Sequence, residues 1–149
     1  MATPSAHAAA IQQNIEALVL QLQQEGVLDE QFQQLMQLQD ESNPDFVAEV
    51  VQLYFEDSVG KIEKIGAMLA TPTTDFNEID QLVHQFKGSS ASLGASMLAQ
   101  LCIKLRECCQ AQNAQGCVVL HQQIAAAYQL LRSKLDLFMQ LEAARKQVS

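Results

Sequence analysis

The sequence predicts an all-α protein: an antiparallel up-down four-helix bundle with two additional N-terminal helices. Three observations carry this expectation. Apolar residues recur at helical spacing along most of the chain, with no useful alternating run and no internal repeat. Glutamine, leucine and alanine are abundant, tryptophan is absent and aromatics are few, which suits packed helices better than sheets. Four of the expected helices are long and closely joined, and short connections favour antiparallel neighbours. At 149 residues the chain is long enough for one real core and too short for two ordinary domains.

Residues 1–10 read as a flexible tail, and residues 11–146 as a single domain. Within it the N-terminal helices take about 11–40 and the bundle about 44–144. Ile11, Ile15, Leu18, Val19 and Leu22 mark the first helical stripe, closed by Gly26. Asp29 is placed to cap a second, short helix carrying Phe32, Leu35, Met36 and Leu38. In "ESNPDF", Asn43 caps, Pro44 takes the first helical position and Asp45 meets the positive end of the helix dipole. That third helix runs through Val47, Val51, Tyr54, Phe55, Ile62, Ile65 and Leu69 and stops near Thr71-Pro72, because a residue before proline avoids the α region. A fourth begins near Asp75, with Glu78 completing a capping box, and ends about Leu93 at Gly94. A fifth spans Ser96 to Asn113 with Leu98, Leu101, Cys102 and Leu105 inward. Gly116 is expected to break the chain before a last helix from about Cys117 to Ala144.

Composition excludes several functions. A net charge of −8 argues against a nucleic-acid binder, which needs a basic surface. No segment is long and apolar enough to span a bilayer, and "MATPSAHAAA" lacks the basic and hydrophobic regions of a signal peptide, so a soluble intracellular protein is expected. Cys102, Cys108, Cys109 and Cys117 form no CxxC pair and no metal-finger spacing. Cys102 and Cys109 stand two turns apart and read as small core residues.

The informative stretch is "VHQFKGSSASLGA", residues 83–95. On its helix Ile79, Leu82, Val83, Phe86 and Leu93 share one face, with Ser90 among them. Setting that face at zero places His84 at about 140°, Gly88 at about 180° and Lys87 at about 80°. His84 therefore points outward, and Gly88, one turn on, leaves open space beside it at a cost of roughly 1 kcal/mol against alanine. Lys87 brings a mobile positive charge within reach of the ring. A neutral imidazole is a nucleophile, and a phosphoryl group on it would bring negative charge for the lysine to offset. Ser90 reads as a close-packing residue and Ser89 as locally bonded. An inert solvated histidine is the bland alternative. His7 falls in the tail, and His121 has no metal-spaced partner. With no Gly-rich phosphate loop after a strand, no ATP-dependent kinase activity of its own is expected. No orienting acid or oxyanion hole supports a hydrolase.

At these residues the sequence resembles histidine-containing phosphotransfer (HPt) proteins, specifically the plant type of the cytokinin-linked multistep phosphorelay. "HQFKGSSASLGA" carries the resemblance, supported by "LQDESNPDFV" at 38–47 and "LRECCQ" at 105–110, and it covers about residues 11–140. It implies a carrier that takes a phosphoryl group from the receiver-domain aspartate of a hybrid sensor histidine kinase and passes it, reversibly, to the aspartate of a response regulator. The receiver supplies Mg²⁺; the carrier needs no cofactor of its own. Carried onto this chain, His84 is the phosphoacceptor, Lys87 stabilises the phosphoryl group and Gly88 leaves room for the receiver. Some plant relatives lack the histidine and act as inhibitors; this chain keeps it. The resemblance also implies presence in cytoplasm and nucleus.

Partner-binding candidates are Gln85 and Ser89 beside the histidine, and exposed members of Leu22, Val27, Leu28, Phe32 and Leu35, of which Leu28 and Phe32 lead. Each of these apolar residues serves equally well in a core. Lys104 and Arg106 are candidates for a basic rim, against ordinary surface charge. A monomer is expected, since a closed bundle needs no partner to fold. The alternatives are a non-catalytic helical-bundle adaptor, and a metal-binding or redox bundle using cysteines and histidine.

Overall fold

A computed structural model describes residues 6–148 as six helices: α1 Ala6–Gln24, α2 Glu30–Leu38, α3 Phe46–Leu69, α4 Phe76–Leu93, α5 Ser96–Gln110 and α6 Ala114–Val148. Helices α3, α4, α5 and α6 form a closed ring, each packed on the next and α6 back on α3. The first helix lies along α6, and α2 crosses onto α4 and α3. Among the described residues there is no strand, and no helix is long and apolar enough to cross a membrane.

The expected stripes form the core. Ile15, Val47, Val51, Ile79, Val83, Phe86, Leu105 and Leu135 are fully buried. Aromatic rings join the layers: Phe55 meets Tyr128 edge-on at 5.9 Å, and Phe32 of α2 meets Phe138 of α6 edge-on at 5.2 Å. Leu22, Val27, Leu28 and Phe32 are all buried, so they belong to the core and not to an exposed apolar interface. The physical reason is the short α2, which lays its one apolar face against α4 and α3 and folds the α1–α2 connection onto the bundle. Leu35 is half-buried against the same core.

Several helix ends follow the predicted chemistry. The Asp29 carboxylate accepts from the Gln31 N–H at 2.9 Å, and Asp75 from the Glu78 N–H at 3.1 Å. Gly26 and Gly94 adopt left-handed backbone with φ of 77° and 89°, and the following N–H groups reach back to Leu22 and Ser90 carbonyls. At Gly94 a close approach adds to the backbone requirement, because a Cβ there would stand 2.5 Å from the Phe32 nitrogen. The Asp29 N–H donates to the Gly94 carbonyl at 2.9 Å, and the Ser96 hydroxyl donates to the Gly26 carbonyl at 3.1 Å. The α4–α5 turn is thereby clamped onto the α1–α2 loop.

Other ends differ. Helix α1 begins at Ala6, so residues 6–10 of the expected tail, His7 included, are helical; residues 1–5 lie outside the described residues. Alanine is the strongest helix former, and Ala8 is buried in the fold. Helix α3 starts at Phe46, after Asn43 and Pro44. Asp40 holds the Ser42 and Asn43 N–H groups, and the Gln39 side chain accepts from the Val47 N–H at 3.0 Å. Gly116 is not a break but lies in the first turn of α6, and its N–H donates to the Asn113 side chain at 3.0 Å. The break is at Gln112, φ 54°, where the Asn113 N–H closes onto the Cys108 carbonyl and ends α5 early. Gly116 is small because a Cβ would sit 2.9 Å from the Cys108 sulfur. Helix α6 continues to Val148. Near its end the buried Glu142 accepts from Arg145 and from Gln39, and Arg145 also donates to Gln12 of α1.

Candidate functional site

Helix α4 has its core face on Ile79, Val83, Phe86, Ser90 and Leu93. That register turns His84, Gln85 and Gly88 to solvent, with Lys87 and Ser89 half-buried on the flanks. Ser90 is fully buried, and its hydroxyl lies 2.8 Å from that of Tyr54 on α3. Burial keeps Tyr54 a neutral phenol, its pKa pushed well above the ordinary value, with the Ser90 contact acting in the opposite direction. Ser89 donates to the Phe86 carbonyl at 3.1 Å, the local bond expected of it. Neither serine hydroxyl is directed to the ring of His84 by these bonds.

Gly88 has no heavy atom within 4 Å of where a Cβ would stand. Nothing inside the molecule requires a glycine there. The space it leaves is outside, one turn from the imidazole. Lys87 lies near the Cys102 thiol of α5 and opposes the effect of burial on it.

Arg106 is not a free basic rim. Its Nε donates to Asp80 Oδ1 at 3.0 Å and its Nη2 to Oδ2 at 3.3 Å, a two-pronged pair that raises the guanidinium pKa further. The remaining arm, Nη1, lies 3.1 Å from His84 Nδ1. Guanidinium has only donors, so Nδ1 accepts. Nε2 is left as the ring nitrogen a partner can reach. Asp80, one turn before His84 on α4, carries no sign of this role in the sequence. Its separation of four from His84 is visible, but the register that brings Arg106 between them is tertiary. Lys104 is exposed, yet residues two positions apart on a helix point about 160° from one another, so it turns away from the Arg106 side. The exposed apolar side chain on the Arg106 side of α5 is Ile103.

Cys102, Cys109 and Cys117 are buried and Cys108 is half-buried, all as free thiols. Burial pushes the Cys102 and Cys109 thiols up to about 12. No group of three or more His, Cys, Asp or Glu side chains among the described residues is arranged to hold a metal ion. His121 bonds the Ile62 carbonyl at 2.8 Å and packs on Gly66, a structural role. The large groove of about 850 Å³, lined by Gln12, Met36, Gln39, Glu142 and Arg145 among others, holds none of the expected site residues.

A rigid helix that shows an imidazole on open surface, with a lysine on its flank and a side-chain-free turn beside it, defines a protein that offers a histidine to another macromolecule. It does not enclose a small substrate. The Hpt domain model matches residues 49–134. Histidine-containing phosphotransfer protein 2 from Arabidopsis thaliana is 43% identical over 135 residues, covering 90% of this chain and 86% of the relative. Protein 5 of the same name and organism is 45% identical over 132 residues, with 87% and 84% covered. The X-ray structure of a rice protein described as a histidine-containing phosphotransfer protein superimposes with a TM-score of 0.88 at 38% identity, covering 95% of this chain and 99% of that one. The chain belongs to the histidine-containing phosphotransfer family, and its role is that of a phosphorelay carrier.

Proposed function

We propose that His84 is the phosphoacceptor, taking a phosphoryl group from a phosphoaspartate of a receiver domain and passing it to the aspartate of a second receiver. The observation that carries this reading is the exposed His84 with open space at Gly88. A phosphoaspartate lies inside another protein, so that protein must approach until the ring nitrogen and the phosphorus are in line. In the forward step Nε2 forms a bond to phosphorus, the aspartyl oxygen–phosphorus bond breaks, and its electron pair stays on the carboxylate. The ring proton is lost to solvent. Lys87 offsets charge on the phosphoryl oxygens as they arrive. Mg²⁺ comes with the receiver. Gln85, Ser89 and Ile103 border the contact, with Lys104 outside it.

On the same reading the donors are hybrid sensor histidine kinases and the acceptors are response regulators of cytokinin signalling, met in cytoplasm and nucleus. The test is incubation with a phosphorylated receiver domain and Mg²⁺. The expected product is an acid-labile, base-stable phosphate on the wild type that is absent from His84→Gln. Equal labelling of that variant places the acceptor elsewhere. Binding to the receiver with no label on the wild type favours an adaptor.

A further inference from the structure

The contact between Arg106 and His84 Nδ1 has a chemical consequence for a phosphorylated ring. We propose that Asp80 and Arg106 form a latch that holds phosphorylated His84 in its neutral form, and so sets how low the pH must fall before the phosphoryl group becomes labile. The proposal rests on His84 being phosphorylated at Nε2.

The argument starts from the leaving group. When water attacks a phosphohistidine, its oxygen bonds to phosphorus and the phosphorus–Nε2 bond breaks, its electron pair going to Nε2. The water gives a proton to solvent and inorganic phosphate departs. If Nδ1 carries a proton, the leaving ring is neutral imidazole. If it does not, the ring must leave as imidazolate, a far poorer leaving group. The protonation of Nδ1 is therefore the switch for lability.

Arg106 opposes that proton twice. Its Nη1–H, 3.1 Å away, occupies the Nδ1 lone pair, and its positive charge disfavours a second cation beside it. Asp80 alone would have the opposite effect, because a carboxylate favours a cationic ring. Here the guanidinium stands between them and binds both Asp80 oxygens. That pairing holds the third arm on the ring, so Asp80 acts as a positioning residue through Arg106. The other charged groups are placed differently. Lys87 lies on α4 itself and Lys104 on the far side of α5. Lys64 of α3 is paired with Glu78 at 3.8 Å, at the start of α4. Asp29, ahead of α2, faces Gly94 at the opposite end.

The two resting states of the ring both suit the latch. Unphosphorylated His84 with its proton on Nε2, and phosphorylated His84 neutral at Nδ1, each present a lone pair to Arg106. Only the transfer step, in which Nε2 must hold the lone pair and Nδ1 the proton, requires the latch to open. Docking of a receiver over this face is the event that can open it.

The test needs no receiver. Wild type, Arg106→Gln, Arg106→Lys and Asp80→Asn are phosphorylated with potassium phosphoramidate, and loss of the phosphoryl group is followed by intact mass across a range of pH. Nitrogen-15 NMR of His84 is recorded before and after phosphorylation, with circular dichroism as the check on folding. Wild type is expected to show the Nε2–H tautomer before phosphorylation. Arg106→Gln offers a carbonyl to Nδ1–H and should reverse that tautomer. It should also move the decay profile by about one pH unit toward neutrality, with phosphoryl loss on the order of tenfold faster near pH 7. Arg106→Lys should retain part of the protection, and Asp80→Asn should lose part of it. A wild-type ring with its proton on Nδ1, or decay profiles that coincide in wild type and Arg106→Gln, overturns the latch. If the tautomers behave as expected but phosphoramidate labels no ring nitrogen of folded wild type, the carrier reading fails first and the latch with it.

Discussion

Replacing Phe32 with alanine separates the core of this molecule from its docking face. Phe32 has 0% relative exposure and meets Phe138 edge-on at 5.2 Å. Removing a fully buried phenyl ring forfeits its transfer free energy and leaves a cavity that the surrounding helices only partly close, a loss of about 3–5 kcal/mol. The edge-on ring pair is part of that sum. For a chain of this size each kcal/mol lowers the melting temperature by about 2–4 °C, so Phe32→Ala should melt about 6–20 °C below wild type. Far-UV circular dichroism with heating or urea reads the shift. Binding of a receiver domain, measured well below the lower midpoint, should change little, because the ring contributes no surface. An unchanged midpoint with weakened binding would refute the burial argument and return Phe32 to the interface.

Four further outcomes follow from other residues. Gly94→Ala puts a side chain at φ 89° and a Cβ 2.5 Å from the Phe32 nitrogen, so it should cost about 1–3 kcal/mol or more in urea unfolding; wild-type stability would contradict the clamp. Gly88→Gln should do the reverse, gaining up to about 1 kcal/mol of helix stability while slowing transfer from a phosphorylated receiver, and unimpaired transfer would remove Gly88 from the mechanism. Because burial raises the Cys102 and Cys109 thiols to about 12, the unfolded chain releases these protons first. Their contribution is present below their ordinary pKa of about 9 and is lost as pH rises from about 9 to 12, which urea midpoints across that window should show. Iodoacetamide on the native protein should label half-buried Cys108 ahead of the other three cysteines, as read by peptide mass.

The elements legible in the sequence are those governed by neighbours in the chain. Helical periodicity placed the core faces of α3 to α6, and local capping chemistry placed Asp29, Asp75, Gly26 and Gly94. The outward direction of His84 and the emptiness beside Gly88 are also properties of a single helix. What could not be read depends on contacts between helices. Phe32 and Leu28 have the same apolar side chains whether they face a partner or α4. Gly116 looks like a break until the end of α5 is seen lying against it. Arg106 looks like a surface cation until packing sets its guanidinium between Asp80 and His84. The early start of α1 was missed for a different reason, since alanine-rich sequence reads as a tail when nothing shows that Ala8 has a surface to cover.

The clamp at Gly94 bears on kinetics as much as on architecture. With the Arg106–Asp80 pair tying the middle of α4 to α5 and the α1–α2 loop holding its last turn, the helix has little freedom to roll or slide. The direction of the imidazole is settled when the chain folds, so no ordering of this helix has to accompany each encounter. Donor and acceptor receivers meet the same fixed surface, and the search for alignment falls on them. Differences among receivers should then lie mainly in how long each stays bound, while their rates of arrival remain similar. A carrier that has to release every partner it serves gains from a surface that does not remodel itself around any of them.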